Sequence, residues 1–473
     1  MKTKLLAGMI LVALVLCVPA AWAQQKDPRV NPPASPIPPL STEESSSRTT
    51  AVDAPATAPE PPPPANDQRP VTSVEPPSLG ILSGGRSFLL PSLRLFQGGS
   101  TNAFGGPGNS GVAFMTTFSG GLAFQHVARR QQVSAEYTGG GQFQTVNNNL
   151  NSSFHRLGLT YRAGLGRWSL ALIDHMQFAN EAGFGGIGGA GSPFRLGGVG
   201  AYAGNLNQLL VPSQSIYTNR GARISNTFTG EVQYAASRRS SLTVSGSYGL
   251  LHFLDPGFVD NRSTSFQVGY NRVLTAADSL GLSYGLNMLR FGGTDDRVNN
   301  HNIHLTYGRQ LTGRLALQIG AGPQINAFSN TVNGSDTVLS WSLQSSLLYK
   351  AQPGNLSVSY NYGVTGGSGV FLGARTHAVQ LAFNRQLSRM WSGGVFTGYA
   401  HNSQLAQTAI TTAGRSFNTW YTRASVNRPL GRYTGLSLHY GLERQTGLPG
   451  AVVNFRHTFG IAFSFRFQPI DLE

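Results

Sequence analysis

The side chains best suited to acid–base chemistry in this sequence are histidines without suitable partners. His301, His304 and His401 fall near the ends of predicted loops, and no His and Asp cluster has the spacing of a metal site or a catalytic set. The sequence contains no G-x-S-x-G nucleophile motif and no H-E-x-x-H zinc motif. We therefore interpret these histidines as polar surface residues and predict no enzymatic activity, no metal site and no cofactor.

A glycine-rich run, Gly183–Gly191, is the segment with the backbone freedom to cradle a phosphate group. A dinucleotide site requires G-x-G-x-x-G directly after a strand, and a P-loop requires a Lys at its end. The run has neither feature. The sequence therefore predicts no phosphate site here, and function has to be inferred from the way the chain is built.

The composition excludes several classes of protein. Only 12% of the residues are charged, against roughly 25% in soluble globular proteins. The 35 Lys and Arg outnumber the 20 Asp and Glu, which gives a net charge of +15. Nucleic-acid binders concentrate Lys as well as Arg, whereas Lys occurs here only at Lys2, Lys4, Lys26 and Lys350. After residue 23 no apolar run approaches the roughly 18 residues of a membrane-spanning helix.

The N-terminal segments predict export. Residues 1–23 combine two early Lys, an apolar run and a final Ala21-Trp22-Ala23, which is the pattern of a cleaved signal peptide. The only cysteine, Cys17, lies inside this segment, so the mature chain has no disulfide. Residues 24–84 are rich in proline and predict a disordered periplasmic segment. This segment is either a spacer or a contact to peptidoglycan or another periplasmic partner.

From residue 85 onward the sequence alternates between apolar and small polar residues. Leu280, Leu282 and Tyr284, for example, interleave with Gly281 and Ser283. This period of two predicts strands of 10 to 13 residues with one apolar face, and no segment has the period of an amphipathic helix. Repeated strands of this kind form either a soluble sandwich or a transmembrane β-barrel whose apolar face meets lipid.

The lengths of the predicted connections distinguish these two folds. Short turns alternate with longer loops, as in barrels with tight periplasmic turns and long extracellular loops. The longer loops are predicted at 98–111, 144–152, 179–223, 253–262, 291–299, 328–336, 365–374, 402–415 and 444–453. Counting from a first strand at 88–97 to a last at 454–467 gives 18 strands, with 16 as the alternative if two early segments are misassigned. Residues 85–473 thus predict an all-β, antiparallel up-and-down transmembrane barrel.

The last predicted strand carries a recognisable motif. Phe459, Ile461, Phe463, Phe465 and Phe467 alternate with small or polar residues. In this motif the sequence resembles bacterial outer-membrane β-barrel proteins of the porin type, whose final strand signals insertion to the barrel-assembly machinery. It departs from the pattern in the tail 468–473, because in many members the aromatic residue ends the chain. The resemblance implies an outer-membrane location with both termini in the periplasm.

The face opposite the apolar one is expected to line the lumen. It is mostly hydroxyl, amide and glycine, and its few ionisable residues include Glu136, Arg156, Glu231, Arg423 and Glu443. These charges either pair as structural bridges or form a selectivity filter. A lumen of neutral polar groups suits hydrated neutral solutes, because it offers hydrogen bonds without strong charge selection.

The third long loop is the candidate constriction. In porins, which this order of loops resembles, the third extracellular loop folds into the barrel. If loop 179–223 does so, Glu181, Arg195, Arg220 and Arg223 would favour anions; the alternative is a surface loop. Arginines such as Arg129, Arg238 and Arg309 lie at or beside the short turns, where anionic lipid headgroups are their expected partners.

The predicted function is an outer-membrane channel for passive or weakly selective passage of small hydrophilic solutes. Two alternatives remain open at this stage. One is an export or assembly pore, for example for polysaccharide, that works with periplasmic partners through the Pro-rich segment. The other is a structural surface protein with a blocked lumen. No nucleic-acid partner is expected, and the sequence leaves open whether the chain forms homo-oligomers.

Overall fold

The computed structural model describes the chain from residue 87, with several loops left out. The described residues are 87–101, 112–144, 151–179, 222–255, 258–292, 296–330, 334–351, 354–365, 373–405, 416–446 and 455–472. The predicted signal peptide 1–23 and Pro-rich segment 24–84 lie outside this range. Within the described residues, no helix is both long and apolar enough to cross a bilayer.

The described chain consists of long strands in sequence order. The barrel strands are β1 Phe88–Thr101, β2 Val112–Ala128, β3 Gln131–Gln144, β4 Ser152–Leu165, β5 Trp168–Ala179, β6 Arg223–Ala235, β7 Ser240–Phe253, β8 Asn261–Val273, β9 Asp278–Phe291, β10 Arg297–Gln310, β11 Leu315–Asn330, β12 Gly334–Ala351, β13 Gly354–Thr365, β14 Ala374–Gln386, β15 Ser392–Gln404, β16 Ser416–Pro429, β17 Thr434–Thr446 and β18 Arg456–Arg466. A two-residue strand, β19 Ile470–Asp471, follows them.

Each strand pairs antiparallel with its neighbours in sequence, and the sheet closes on itself. The closing pair is β1 with β18, from Ser92 opposite Arg466 to Ser100 opposite Thr458. The tail strand β19 continues this pairing along the start of β1, where Phe88 lies opposite Asp471. A closed barrel leaves no free sheet edge. The prediction of 18 strands is confirmed, and the alternative of 16 is wrong.

The two faces of the sheet follow the period-2 pattern of the sequence. On β9, Leu280, Leu282 and Tyr284 are 37%, 55% and 42% exposed on the outer face. Ser279 and Asn287, at the alternate positions, are buried on the inner face. Successive side chains of a strand point to opposite sides, so the apolar residues cover the outside of the barrel and the polar residues line the inside.

The connections divide the barrel into a short-turn end and a long-loop end. The chain enters β1 and leaves β18 at the short-turn end, where the turns are closed by hydrogen bonds such as Leu274 N–H to the Asp278 carbonyl, 2.9 Å. The predicted alternation is lost at two long-loop positions: the β9–β10 connection, 292–296, is no longer than the short turn 387–391, and the connection between β11 and β12 is shorter still. These strands end at Asn330 and begin at Gly334, so most of the predicted loop 328–336 is strand.

Aromatic and arginine side chains lie together at the short-turn end. On the outer face Tyr307 donates a hydrogen bond of 2.6 Å to the carboxylate of Asp278, and the Arg309 guanidinium lies 3.7 Å from the same carboxylate. Arg428 lies over the ring of Trp391, 5.2 Å from its centroid. Aromatic rings and arginines at one level mark a membrane interface in barrels. This level is one boundary of the apolar outer band.

The β10–β11 ladder has one interruption. Pairing runs to Asn302 opposite Gln324 and resumes at Leu305 opposite Ala321 in the same register. Pro323 lies in this gap, and proline cannot donate to the ladder. A Cβ atom on the neighbouring Gly322 would overlap the carbonyl oxygen of Ile303. The backbones of β10 and β11 are therefore too close at this point for any residue other than glycine.

Candidate functional site: the barrel lumen

The inner wall is lined by hydroxyl and amide side chains. On β6, Thr227, Thr229 and Gln233 are buried on the inner face, while Phe228 and Val232 between them are exposed on the outer face. The same division recurs on β7 and β8. Neutral polar groups can hydrogen-bond both to each other and to water, so a water-filled lumen lined by them has a low free-energy cost. The wall therefore provides many weak hydrogen-bonding positions and few charges.

The five ionisable residues that the sequence places in the lumen all occupy inner-face positions. Glu136 and Arg156 lie on β3 and β4, where Arg156 is opposite Thr138 and Glu136 is opposite Gly158. Glu231 lies on β6, opposite the buried Ser245 of β7. Arg423 and Glu443 lie on β16 and β17. Their role as a selectivity filter for solutes remains a prediction.

One ion pair in the wall is well defined. The Arg423 Nη2 group donates to Glu443 Oε1 at 2.8 Å, and the two side chains are 19% and 11% exposed. Arg456 lies directly opposite Glu443 on β18 and donates from Nε to Ser100 Oγ at 3.0 Å. Glu443 is thus flanked by two arginines on adjacent strands. The pair runs along the wall between neighbouring strands and bridges β16 to β17.

We expect neutralisation of Glu443 to shift the ion selectivity of the lumen. In Glu443→Gln, Arg423 and Arg456 lose the carboxylate between them, so the local charge becomes more positive and anions are favoured. Reversal potentials in a salt gradient measure this shift. The double variant Arg423→Gln/Glu443→Gln restores the charge balance and is expected to return the reversal potential towards that of the wild type; an equal shift in both variants would contradict this.

The predicted constriction residues are described only in part. Glu181, Arg195 and Arg220 lie outside the described residues, so the inward folding of loop 179–223 stays a prediction. Arg223 is described: it opens β6, faces inward and is 4% exposed. Its position opposite Phe253 places a guanidinium group inside the long-loop end of the lumen.

A row of amides crosses the inner wall on β10, β11 and β12. Asn300 Nδ2 donates to Asn326 Oδ1 at 2.5 Å, and Asn302 Nδ2 donates to Asn300 Oδ1 at 3.2 Å. Asn326 Nδ2 and Gln324 Nε2 both donate to Ser340 Oγ, at 2.8 and 2.9 Å. All four amides are buried. The row ties three strands together through side chains.

His304 differs from the expectation of a surface residue. It is only 4% exposed on the inner wall, and its Nε2 hydrogen-bonds to Ser342 Oγ on β12, across the strand between them. Gly322 on that strand has no side chain, and Ser342 Oγ donates to its carbonyl oxygen at 3.2 Å. The histidine therefore closes a structural bridge over the interruption in the β10–β11 ladder.

The end of β13 leaves the wall and lies against the inner surface of the nearby strands β9 to β11. The β12–β13 ladder stops at Leu343 opposite Tyr362, although both strands continue for at least three residues. Beyond this point Val364 is 4% exposed and packs with inner-face residues of β9, β10 and β11. We call this set the upper apolar cluster; its buried members are Leu289, Phe291, Val298, Phe328 and Val364.

The start of β14 makes the same approach. A Cβ atom on Gly373 would lie 3.6 Å from Val298 Cγ2 and 3.1 Å from Leu405 Cδ1. Gly373 has a φ of 82°, a conformation that favours glycine. Because β11 and β12 separate β10 from β13 in the sheet, these contacts place the base of the loop inside the barrel, over the inner face of β11 and β12. The base of the seventh long loop, 365–374, therefore narrows the lumen at the long-loop end.

The predicted insertion motif lies on the outer face of the closing strand. Phe459, Phe463 and Phe465 are between 41% and 50% exposed on β18. Ile461 lies between them, and Phe467 follows the strand, with its backbone N–H donating to the Pro91 carbonyl at 3.1 Å. The motif thus belongs to the seam where the barrel closes. Its recognition by the assembly machinery remains a prediction.

Hydrogen-bonded polar pairs recur on the outer face, a feature that the sequence analysis missed. The two residues of a pair lie on adjacent strands and are diagonal to each other. Tyr284, for example, lies opposite Ile303 but bonds to His301, two residues nearer the long-loop end. The distances between the bonded atoms are 2.7–3.1 Å. The pairs are Tyr137–His155, Asp174–Asn226, Tyr284–His301, Tyr360–His377, Tyr399–Asn418 and Tyr440–His457. Polar atoms facing lipid are costly unless they are hydrogen-bonded. Tyr and His spaced 17 or 18 residues apart are the sequence signal for this arrangement.

The barrel has counterparts among solved structures. OpdQ from Pseudomonas aeruginosa is matched over 82% of this chain and 100% of its own, with 11% identity and a TM-score of 0.42. The outer membrane protein OpdK from the same organism is matched over 82% and 100%, with 13% identity and a TM-score of 0.41. A BenF-like porin from Pseudomonas fluorescens Pf-5 is matched over 83% and 100%, with 11% identity and a TM-score of 0.42.

The sequence matches no protein-family model and no curated protein. The closure of the barrel and its strand number rest on the strand pairing of this chain.

Proposed function

We propose that the protein is a channel of the bacterial outer membrane that passes small hydrophilic solutes. The observation that supports this most strongly is the closed 18-strand barrel with an apolar outer face and a neutral polar inner face. Barrels of 16 to 18 strands are wide enough for an aqueous lumen. Lipid covers the outer face, and water and solute occupy what the inner wall leaves open.

The inner wall supports weak selection by charge. Most of its side chains are Ser, Thr, Asn and Gln, and the Arg423–Glu443 pair largely cancels its own charge. Hydroxyl and amide groups replace part of the hydration of a neutral solute at little cost. We therefore expect sugars, small alcohols and similar hydrated molecules to pass more readily than charged solutes of equal size.

The orientation follows from the two ends of the barrel. Short turns face the periplasm in bacterial outer-membrane barrels, and longer loops face outside. In this orientation the segment preceding β1 lies in the periplasm, where the Pro-rich residues 24–84 have access to peptidoglycan or a protein partner. The upper apolar cluster narrows the lumen towards the outside.

Conductance in planar bilayers tests the channel. We expect the purified, folded protein to give stable conductance steps on its own, with a weak dependence on ion type. Folding is checked by the heat-dependent shift in gel mobility that barrels show. Folded protein without any conductance would contradict the proposal and favour the structural surface protein. Conductance that appears only after loss of the contacts in the upper apolar cluster, together with co-purified periplasmic proteins, would favour the export pore.

A further inference from the structure

Three arginines form a row on the outer face at the long-loop end. Arg262 on β8 lies directly opposite Arg290 on β9, and Arg290 lies directly opposite Arg297 on β10. All three are exposed and share the outer face with Phe266, Tyr284 and Ile303. Adjacent strands are about 4.8 Å apart, so the row is roughly 10 Å long. We call it the arginine row.

The arginine row forms no ion pair within the described part of the chain. None of its guanidinium groups has a carboxylate within ion-pair distance among the described residues. The nearby Asp260 carboxylate accepts hydrogen bonds from His252 Nδ1 at 2.6 Å and from the Phe253 N–H at 2.8 Å. Like charges directly opposite each other destabilise a sheet. The three guanidinium groups repel each other in the protein alone, and an anion that lies across the row would remove this repulsion.

The height of the arginine row places it at a lipid interface. On β10, Arg297 precedes Tyr307 of the short-turn interface by ten residues. Ten residues of a strand tilted by about 40° rise roughly 25 Å along the barrel axis. The apolar band of an outer-membrane barrel is about 25 Å tall. The row therefore lies at the outer edge of that band, at the level of lipid headgroups.

We propose that the arginine row binds the phosphate groups of a glycolipid in the outer leaflet. Guanidinium groups bind phosphate through paired, charge-assisted hydrogen bonds. The row faces lipid, and a headgroup with more than one phosphate matches its length and charge. The proposal rests on the outer-membrane location given above, but not on conductance through the lumen.

Binding of lipid in nanodiscs tests the arginine row. The protein is reconstituted into phosphatidylcholine nanodiscs that contain lipid A with two phosphates, with one, or with none, and retained lipid is measured by native mass spectrometry. We expect binding to increase with phosphate number. The variant Arg262→Gln/Arg290→Gln/Arg297→Gln is expected to bind at least about tenfold more weakly, because the loss of a single charge-assisted contact already costs about a tenfold factor. Free inorganic phosphate is not expected to displace the lipid at millimolar concentration.

The control removes the same charge from the inner wall, which lipid does not reach. Arg94→Gln/Arg156→Gln/Arg466→Gln is expected to bind lipid A as the wild type does, because these arginines occupy inner-face positions on β1, β4 and β18. Equal loss in both triple variants, or no loss in the first, would overturn the proposal. Displacement by inorganic phosphate would indicate an anion site without lipid specificity and would also overturn it.

The central arginine provides a second readout. In detergent without anionic lipid, Arg290→Gln is expected to raise the unfolding temperature, because it removes repulsion from both neighbours. With diphosphorylated lipid A present, the same substitution is expected to lower it. A shift of the unfolding temperature in the same direction under both conditions would overturn the proposal. Folded protein without conductance, in contrast, would contradict only the proposed channel function.

Discussion

Replacing Phe291 and Val364 together by alanine is expected to raise the single-channel conductance about twofold or more, because these side chains hold the end of β13 within the cross-section through which ions flow. These side chains belong to the upper apolar cluster, where the end of β13 lies against the inner wall. Truncation of a buried Phe or Val removes roughly 2–4 kcal/mol of packing free energy. The ladder between β12 and β13 has already ended at this level, so no backbone pairing with β12 holds the end of β13 in place.

The matched control truncates apolar inner-wall residues elsewhere. Ile173 and Phe396 are buried on β5 and β15, where pairing with both neighbouring strands is continuous. Ile173→Ala/Phe396→Ala is expected to lower stability but to leave the conductance close to that of the wild type. Single-channel recordings of both double variants at one salt concentration make the comparison. An unchanged conductance in Phe291→Ala/Val364→Ala would show that the end of β13 does not limit flow.

The variant Gly322→Ala is expected to destabilise the barrel by about 3 kcal/mol, at the upper end of the range for overpacking. Its Cβ atom would overlap the carbonyl oxygen of Ile303, which belongs to the backbone and cannot rotate away. The strands would separate further at a point where Pro323 already leaves the ladder open. The hydrogen bond between His304 and Ser342 that spans this point would also be strained. Urea unfolding monitored by tryptophan fluorescence measures the loss.

A glycine in ordinary surroundings provides the comparison. Gly269 also lies inside a strand, on β8, and a Cβ atom there would meet Ser283 Cβ at 3.4 Å, a normal van der Waals distance. Gly269→Ala is expected to change the free energy of unfolding by less than about 0.5 kcal/mol. Equal losses in the two variants would indicate a general intolerance of side chains on the inner wall and would contradict the role of the close approach at Gly322.

Much of the architecture was predictable because barrel strands carry their own pattern. The apolar alternation of Leu280, Leu282 and Tyr284 depends only on neighbouring residues, since successive side chains point to opposite faces. The turn positions and the strand number followed from the same local signals. The prediction was wrong at 328–336, where the strands continue, because strand length beyond the membrane depends on hairpin pairing and not on a local turn motif.

The functional details depend on which strands become neighbours. Arg262, Arg290 and Arg297 are dispersed in the sequence, and only the register of β8, β9 and β10 aligns them. Likewise, the sequence pointed to loop 179–223 as the constriction, whereas the described contacts that fill part of the lumen come from the base of loop 365–374.

The sequence by itself determined that the chain forms an antiparallel barrel with an apolar exterior and favoured 18 strands over 16, because a period of two and the spacing of turns are local properties. The strand pairing settled the number. The sequence also restricted the positive charge almost entirely to arginine. Only the tertiary structure decided that the end of β13 leaves the wall, that His304 bridges two strands over Gly322, and that three arginines form one row. These features depend on register and on contacts between strands remote in sequence, which no local pattern encodes.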